Sequence, residues 1–141
     1  MSESVSNKSL AVAAWTRLVR IQQRLDRASR RNFRSLGLSA AWFDVLARVG
    51  ANEGLTQAEL ADSLLVTKGN VSQLLAKMEA AGLVHRRVDG RCSRLGLTDQ
   101  GKALAAKALP RQEAVLRASL ARLSEEEQAE LVRLLRKWEK S

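Results

Sequence analysis

Residues 56–101 read TQAELADSLLVTKGNVSQLLAKMEAAGLVHRRVDGRCSRLGLTDQG. A short helix, a turn, a second helix and a basic hairpin follow one another in this stretch. In the second helix Val71, Leu74, Leu75 and Met78 fall at i, i+3, i+4 and i+7, a single apolar stripe that faces a core. At about 100° per residue the opposite face holds Gly69, Gln73, Ala76 and Ala80, with Asn70 and Lys77 on one shoulder and Ser72 on the other. Small residues there allow close approach to a surface. Gln73 and Asn70 carry the amides that pair with adenine N6 and N7 in a major groove. Thr67 is expected to cap this helix, so that the N–H groups of its first turn can receive a phosphate. Taken alone, such a helix is as readily an ordinary amphipathic helix with a solvated face.

The flanking segments favour the DNA-reading alternative. Thr56 stands three residues before Glu59, a capping box opening a helix of barely two turns whose Ala58, Ala61 and Leu65, with Leu64 beside them, are expected to pack closely. Ala81-Gly82 signals the end of the second helix. Val84 to Val88 reads as a strand with Arg86 and Arg87, Asp89-Gly90 as a tight turn, and Arg94 to Leu97 as the returning strand. A helix pair followed by an arginine-bearing hairpin is a winged helix-turn-helix. Its second helix enters the major groove and its wing lies alongside.

The chain resembles the MarR family of bacterial transcription regulators. The residues that carry the resemblance are Leu55-Thr56-Gln57-x-Glu59-Leu60-Ala61, Val66-Thr67, Met78-Glu79-x-x-Gly82-Leu83-Val84 and Leu97-Thr98-x-x-Gly101. Upstream, Leu36-Gly37-Leu38-Ser39 and Phe43-Asp44-Val45-Leu46 match as well. The resemblance covers roughly residues 10–138 and implies one domain over residues 1–141. In it, 8–36 and 99–138 form dimerisation helices around a DNA-binding lobe at 39–98. The expected fold is thus mainly α, a winged helix-turn-helix with a two-stranded β-wing and terminal dimerisation helices. The family's wing usually carries Asp-Arg-Arg at its tip, whereas this one has Asp89-Gly90-Arg91 in a hairpin a few residues short. Asp89 and Arg91 match the outer pair, in which the aspartate holds the arginine for the minor groove.

The expected DNA contacts are therefore Thr67, Lys68, Gly69, Asn70, Ser72, Gln73 and Lys77 on the helix, with Arg86, Arg87, Asp89, Arg91 and Arg94 on the wing. Gln73 and Asn70 are expected to read bases, while Thr67, Lys68, Ser72 and Lys77 hold phosphates. The formal net charge of +9 suits a polyanion, though many soluble proteins are as basic. Its distribution is more telling: between Thr67 and Arg94 six basic residues stand against two acidic ones.

The ends of the chain read as long helices. Residues 8–36 carry the stripe Leu18, Ile21, Leu25 and Ala28 and a second one of Val12, Trp15 and Val19. Two stripes imply burial on two sides, one of them against a partner copy. The same helix bears Arg17, Arg20, Arg24, Arg27, Arg30, Arg31 and Arg34 with only Asp26 opposing. A solvated face is the favoured reading of that run; approach of Arg30, Arg31 and Arg34 to a DNA backbone is the alternative. Residues 99–123 form a helix expected to bend at Pro110, and Ser124 with Glu127 makes a second capping box before a helix bearing Leu131, Leu134, Leu135 and Trp138. A homodimer would cover these faces and read a palindromic operator with two half-sites.

No constellation for catalysis stands out, and an enzyme is not expected. His85 is the only histidine, with no acid placed by the sequence to orient it, and Cys92 has no His or Cys at ligand spacing. No metal or cofactor is expected. Residues 1–20 lack a long apolar run, so neither signal peptide nor membrane partner is implied, and the expected compartment is a bacterial cytoplasm. An architectural or weakly specific DNA binder and a protein–protein interaction module are the competing classes. From the family comes the further expectation of a repressor whose operator binding is weakened by a small aromatic or phenolic effector. Trp15 and Trp42 would stack on it, with Arg17 and Asp44 as polar partners, although most buried tryptophans are simply core.

Overall fold

The computed structural model describes residues 9–65 and 70–141. Its elements run α1 (Leu10–Ser35), α2 (Ala40–Ala51), α3 (Gln57–Ser63), α4 (Val71–Ala80), β1 (Val84–Asp89), β2 (Cys92–Leu97), α5 (Asp99–Ser119) and α6 (Glu125–Glu139). The two strands form one antiparallel sheet. The fold is mainly helical with a β-wing, as the sequence implies. Two compact units divide the described chain, one within Asp26–Gln112 and one within Met1–Leu25 and Glu113–Ser141.

Local chemistry sets the element ends. Thr56 Oγ1 accepts the Glu59 N–H at 3.1 Å while Glu59 Oε1 accepts the Thr56 N–H at 2.8 Å, which completes the capping box of α3. Ser124 and Glu127 repeat it at α6. At the end of α4, Gly82 takes φ +78°, its N–H donates to Glu79 O, and the Leu83 N–H donates to Met78 O. This is a Schellman ending, and the left-handed φ at that position favours glycine. α5 continues through Pro110 and stops at Ser119, four residues before the expected end.

Within Asp26–Gln112 the core joins α2, α3, α4 and the hairpin through Val45, Leu46, Val49, Leu60, Leu64, Leu75, Met78, Val84 and Leu95, all fully buried. Each such Leu or Met contributes about 1.5–3 kcal/mol by burial. The stripe read on α4 is the one that faces this core, with Val71 and Leu74 packed on its edge. On α3 the reading was displaced. Leu60 and Leu64 supply the packing, whereas Ala58 is exposed and Leu65 is 70% exposed. The cause is size, because Leu60 and Leu64 also sit four apart and bury far more apolar area than the alanines. In the other unit no described residue is buried, and Leu10, Val12, Trp15, Leu18, Ile21, Leu116, Val132, Leu134, Leu135 and Trp138 are exposed.

Candidate nucleic-acid interface

α4 presents Ser72, Gln73, Ala76, Lys77 and Ala80 to solvent along the face opposite its buried stripe. The helix is capped by Asn70, whose Oδ1 accepts the Gln73 N–H at 3.0 Å. The expected cap, Thr67, lies outside the described residues, as do Lys68 and Gly69. With helix residues starting at Val71, the cap falls three residues later than the sequence suggested. Capping also commits the Asn70 carbonyl oxygen, one half of the bidentate pattern that would read an adenine. Gln73 therefore stands as the amide with both ends available among the described residues of α4.

The wing is built on a register of Val84↔Leu97, Arg86↔Leu95, Arg87↔Arg94 and Asp89↔Cys92. Gly90 and Arg91 form its two-residue turn, and of the pair only Gly90 has positive φ, +64°. That is the backbone pattern of a type II′ turn. The hairpin is anchored to the chain ahead of α3, where the Leu95 N–H donates to Leu55 O (2.9 Å) and the Gly54 N–H to Leu95 O (2.8 Å).

Strand alternation divides the wing arginines. Arg86 shares the inward face with Val84, Leu95 and Leu97. Its Nε donates to Glu79 Oε1 at 3.2 Å and one terminal nitrogen to Gln57 Oε1 at 3.3 Å, so it ties α4, α3 and β1 together. Asp89 does not hold Arg91 as expected. It accepts from Arg94 Nε at 2.7 Å, because in a two-residue hairpin Arg94 lies diagonally across the same sheet face while Arg91 sits in the turn. Hydrogen bonding and charge from Arg94 hold the Asp89 carboxyl below the usual aspartate range, and Asp89 in turn raises Arg94. Arg94 also donates to Gly54 O at 2.9 Å. Arg87 and Arg91 remain exposed.

Two further arrangements were not legible in the sequence. Asp44, 5% exposed on α2, accepts the Leu65 N–H at 2.6 Å and lies 3.5 Å from Arg48 Nε. It thus braces the chain that leads from α3 towards α4. Gly96 leaves room between His85 and Glu53: a Cβ there would lie 2.6 Å from both His85 Nε2 and Glu53 Oε2. Glu53 also accepts the Leu97 N–H at 3.3 Å. The backbone groups these acids accept from are 21 and 44 residues away, and no local spacing announces either bond. Of the other expected effector residues, Trp15 is 60% exposed, Arg17 is exposed, and Trp42 is half-buried against the core of its unit. Among the described residues no cluster of three His, Cys, Asp or Glu is placed for a metal, and no helix is long and apolar enough to cross a membrane.

This arrangement of α3, α4 and wing has clear relatives. The model of the MarR family matches residues 36–100. An HTH-type transcriptional regulator of Bacillus cereus is 36% identical over 124 residues, which is 87% of this chain and 84% of that one. The chain belongs to the MarR family. It is a DNA-binding transcription regulator of the winged helix-turn-helix type. A MarR family regulator from Silicibacter pomeroyi superposes with a TM-score of 0.81 at 29% identity, covering 94% of this chain and 92% of that one. A MarR family protein from Mycobacterium tuberculosis, solved in complex with salicylic acid, is 34% identical with a TM-score of 0.68, covering 86% and 92%.

Proposed function

We propose that this MarR-family protein is a homodimeric cytoplasmic repressor that reads a palindromic operator. Gln73 contacts base edges, while Ser72, Lys77, Arg87 and Arg91 hold the backbone or enter the minor groove. The observation that carries this reading is the outer face of α4, where Gln73 is flanked by Ser72 and Lys77 with no large side chain to keep a groove wall away. Thr67, Lys68 and Gly69 stay in the proposed contact set on the sequence alone. Arg86 is left out because it lies on the inward face, with Nε and one terminal nitrogen engaged by Glu79 and Gln57.

Dimerisation is supported by the unit that holds α6. Its apolar residues lie open, including a groove of about 360 Å³ along α6 between Leu123, Leu131 and Leu134. Monomeric soluble proteins seldom leave so much contiguous apolar surface uncovered. We further propose an aromatic carboxylate or phenolate effector that lowers operator affinity, with Trp42 for stacking; Trp15 and Arg17, two residues apart, leave opposite sides of α1 and do not serve one ligand together. The salicylic acid complex of the Mycobacterium tuberculosis relative supports that chemical class. Asp44 is the weakest member of the expected set, since its carboxylate is buried and braces Leu65.

Selection of bound duplexes from a random pool, followed by titration of the selected and a scrambled duplex over a range of salt, tests the reading. A sequence-specific regulator should bind the selected site at least about 10³-fold more tightly. Equal affinity for both duplexes would instead establish an architectural binder held by charge alone.

A further inference from the structure

The Arg86 guanidinium sits where α3, α4 and the wing meet. Its Nε donates to Glu79 in the last turn of α4 at 3.2 Å, and a terminal nitrogen donates to Gln57, the first residue of α3, at 3.3 Å. The arginine itself stands on β1, opposite Leu95. All these residues belong to the one compact unit within Asp26–Gln112. Gly82, with its left-handed φ, ends α4 and turns the chain into β1, which brings Arg86 to a side chain seven residues earlier. The Arg86 side chain is 25% exposed and that of Glu79 44%, so the ion pair is too open to add much to stability. What the guanidinium supplies is direction, since its planar fork engages two acceptors on two different helices at once.

Direction matters on α4. The helix rests on the core through Leu75 and Met78, and apolar burial, having no direction of its own, resists a roll about the helix axis only weakly. A helix with its side chains is about 10–12 Å across, so a roll of about 15° carries the tip of Gln73 by about 1.5 Å. That is enough to break a hydrogen bond to a base edge. A lysine on its flexible stem still reaches a phosphate after such a shift. We propose that Arg86 is a positioning residue for base reading: through Glu79 and Gln57 it sets the roll of α4 against α3 and the wing, and so the place of Gln73. This rests on the operator reading and deepens it. A phosphate contact suits Arg86 less well, because its strand face is the inward one and any phosphate brought to it would also approach the Glu79 carboxylate.

The test titrates the full chain and its Arg86→Gln, Arg86→Lys and Glu79→Gln variants on the selected operator and on a scrambled duplex over a range of salt, well below each thermal midpoint. All three variants should lose at least about fivefold in preference for the operator, the lower end of what one base contact supplies. Their salt slopes on scrambled DNA should match wild type, whereas a lost phosphate contact lowers the slope by about 0.9. The double variant Glu79→Gln/Arg86→Gln should lose no more than either single one, because each breaks the same tie. Glu79→Gln carries the sharpest contrast. If Arg86 instead meets phosphate, removing the acid frees it, and both duplexes bind more tightly with a steeper slope; that result overturns the proposal. Rescue of the operator preference by Arg86→Lys overturns it too, by showing that charge alone suffices. So does an equal loss on both duplexes, which is the mark of a merely structural role. Should Arg86→Gln fail to fold, Glu79→Gln decides between the two signs. If wild type itself shows no preference for the selected duplex, it is the operator reading that fails, and the positioning role falls with it.

Discussion

Removing the Asp44 carboxylate should loosen the DNA-binding unit more than its single charge suggests. Asp44 Oδ2 takes the Leu65 N–H in a 2.6 Å charge-assisted bond at a position only 5% exposed. Asp44→Ala strands that N–H, at a cost of about 1–3 kcal/mol. The Arg48 ion pair adds less than about 1 kcal/mol, because the Arg48 side chain is 38% exposed and the 3.5 Å separation is long for a hydrogen bond. The expected loss is about 2–3 kcal/mol, which for a chain of this size lowers the thermal midpoint by roughly 6–15 °C. Asp44→Asn keeps an acceptor for Leu65 and loses only the charge, so about 1 kcal/mol and roughly 3–5 °C are expected. Thermal unfolding followed by circular dichroism measures both, at one fixed protein concentration because subunit association shifts the midpoint. Since Leu65 leads towards α4, the alanine variant should also bind selected and scrambled duplexes more weakly. Equal midpoints for the two variants, or an alanine variant as stable as wild type, would refute the account of Asp44 as a brace.

Gln73→Ala should cost roughly 1–3 kcal/mol on the selected operator and little on scrambled DNA, measured by fluorescence anisotropy; an equal loss on both removes Gln73 from base reading. Lys77→Ala should weaken both duplexes alike and reduce the salt slope by about one unit, as a phosphate contact does. Arg91→Ala should lower affinity on both duplexes, whereas Asp89→Ala should act through Arg94 and leave the contribution of Arg91 in place; a double-mutant cycle showing strong Asp89–Arg91 coupling would contradict the hairpin geometry. Because Arg94 depresses the Asp89 carboxyl, its clamp contributes above the ordinary aspartate range and is lost as pH falls through the lower, folded value. A carboxyl-carbon NMR titration should place Asp89 below an ordinary aspartate, and Arg94→Gln should return it upward.

What was legible in the sequence was what local chemistry decides. The capping boxes at Thr56 and Ser124 and the ending at Gly82 depend on residues within a turn of one another, and all formed as read. The stripe of α4 was legible because only one apolar face exists there. α3 misled because two sets of apolar residues share nearly the same spacing, and only the tertiary core chooses Leu60 and Leu64 over Ala58 and Leu65. The wing misled for a different reason. Asp89 has arginines at 91 and 94, and turn length alone decides which of them crosses to it. Arg86 shows how this bears on function. Its alternation with Val84 already placed it on the inward face, but the partners that hold it, Gln57 and Glu79, lie 29 and 7 residues away. A basic count over the hairpin therefore overstates its reach to DNA. Arg86 and Arg94 tie the wing to the lobe, and on the proposed reading it is Arg87 and Arg91, exposed on that anchored hairpin, that meet the duplex.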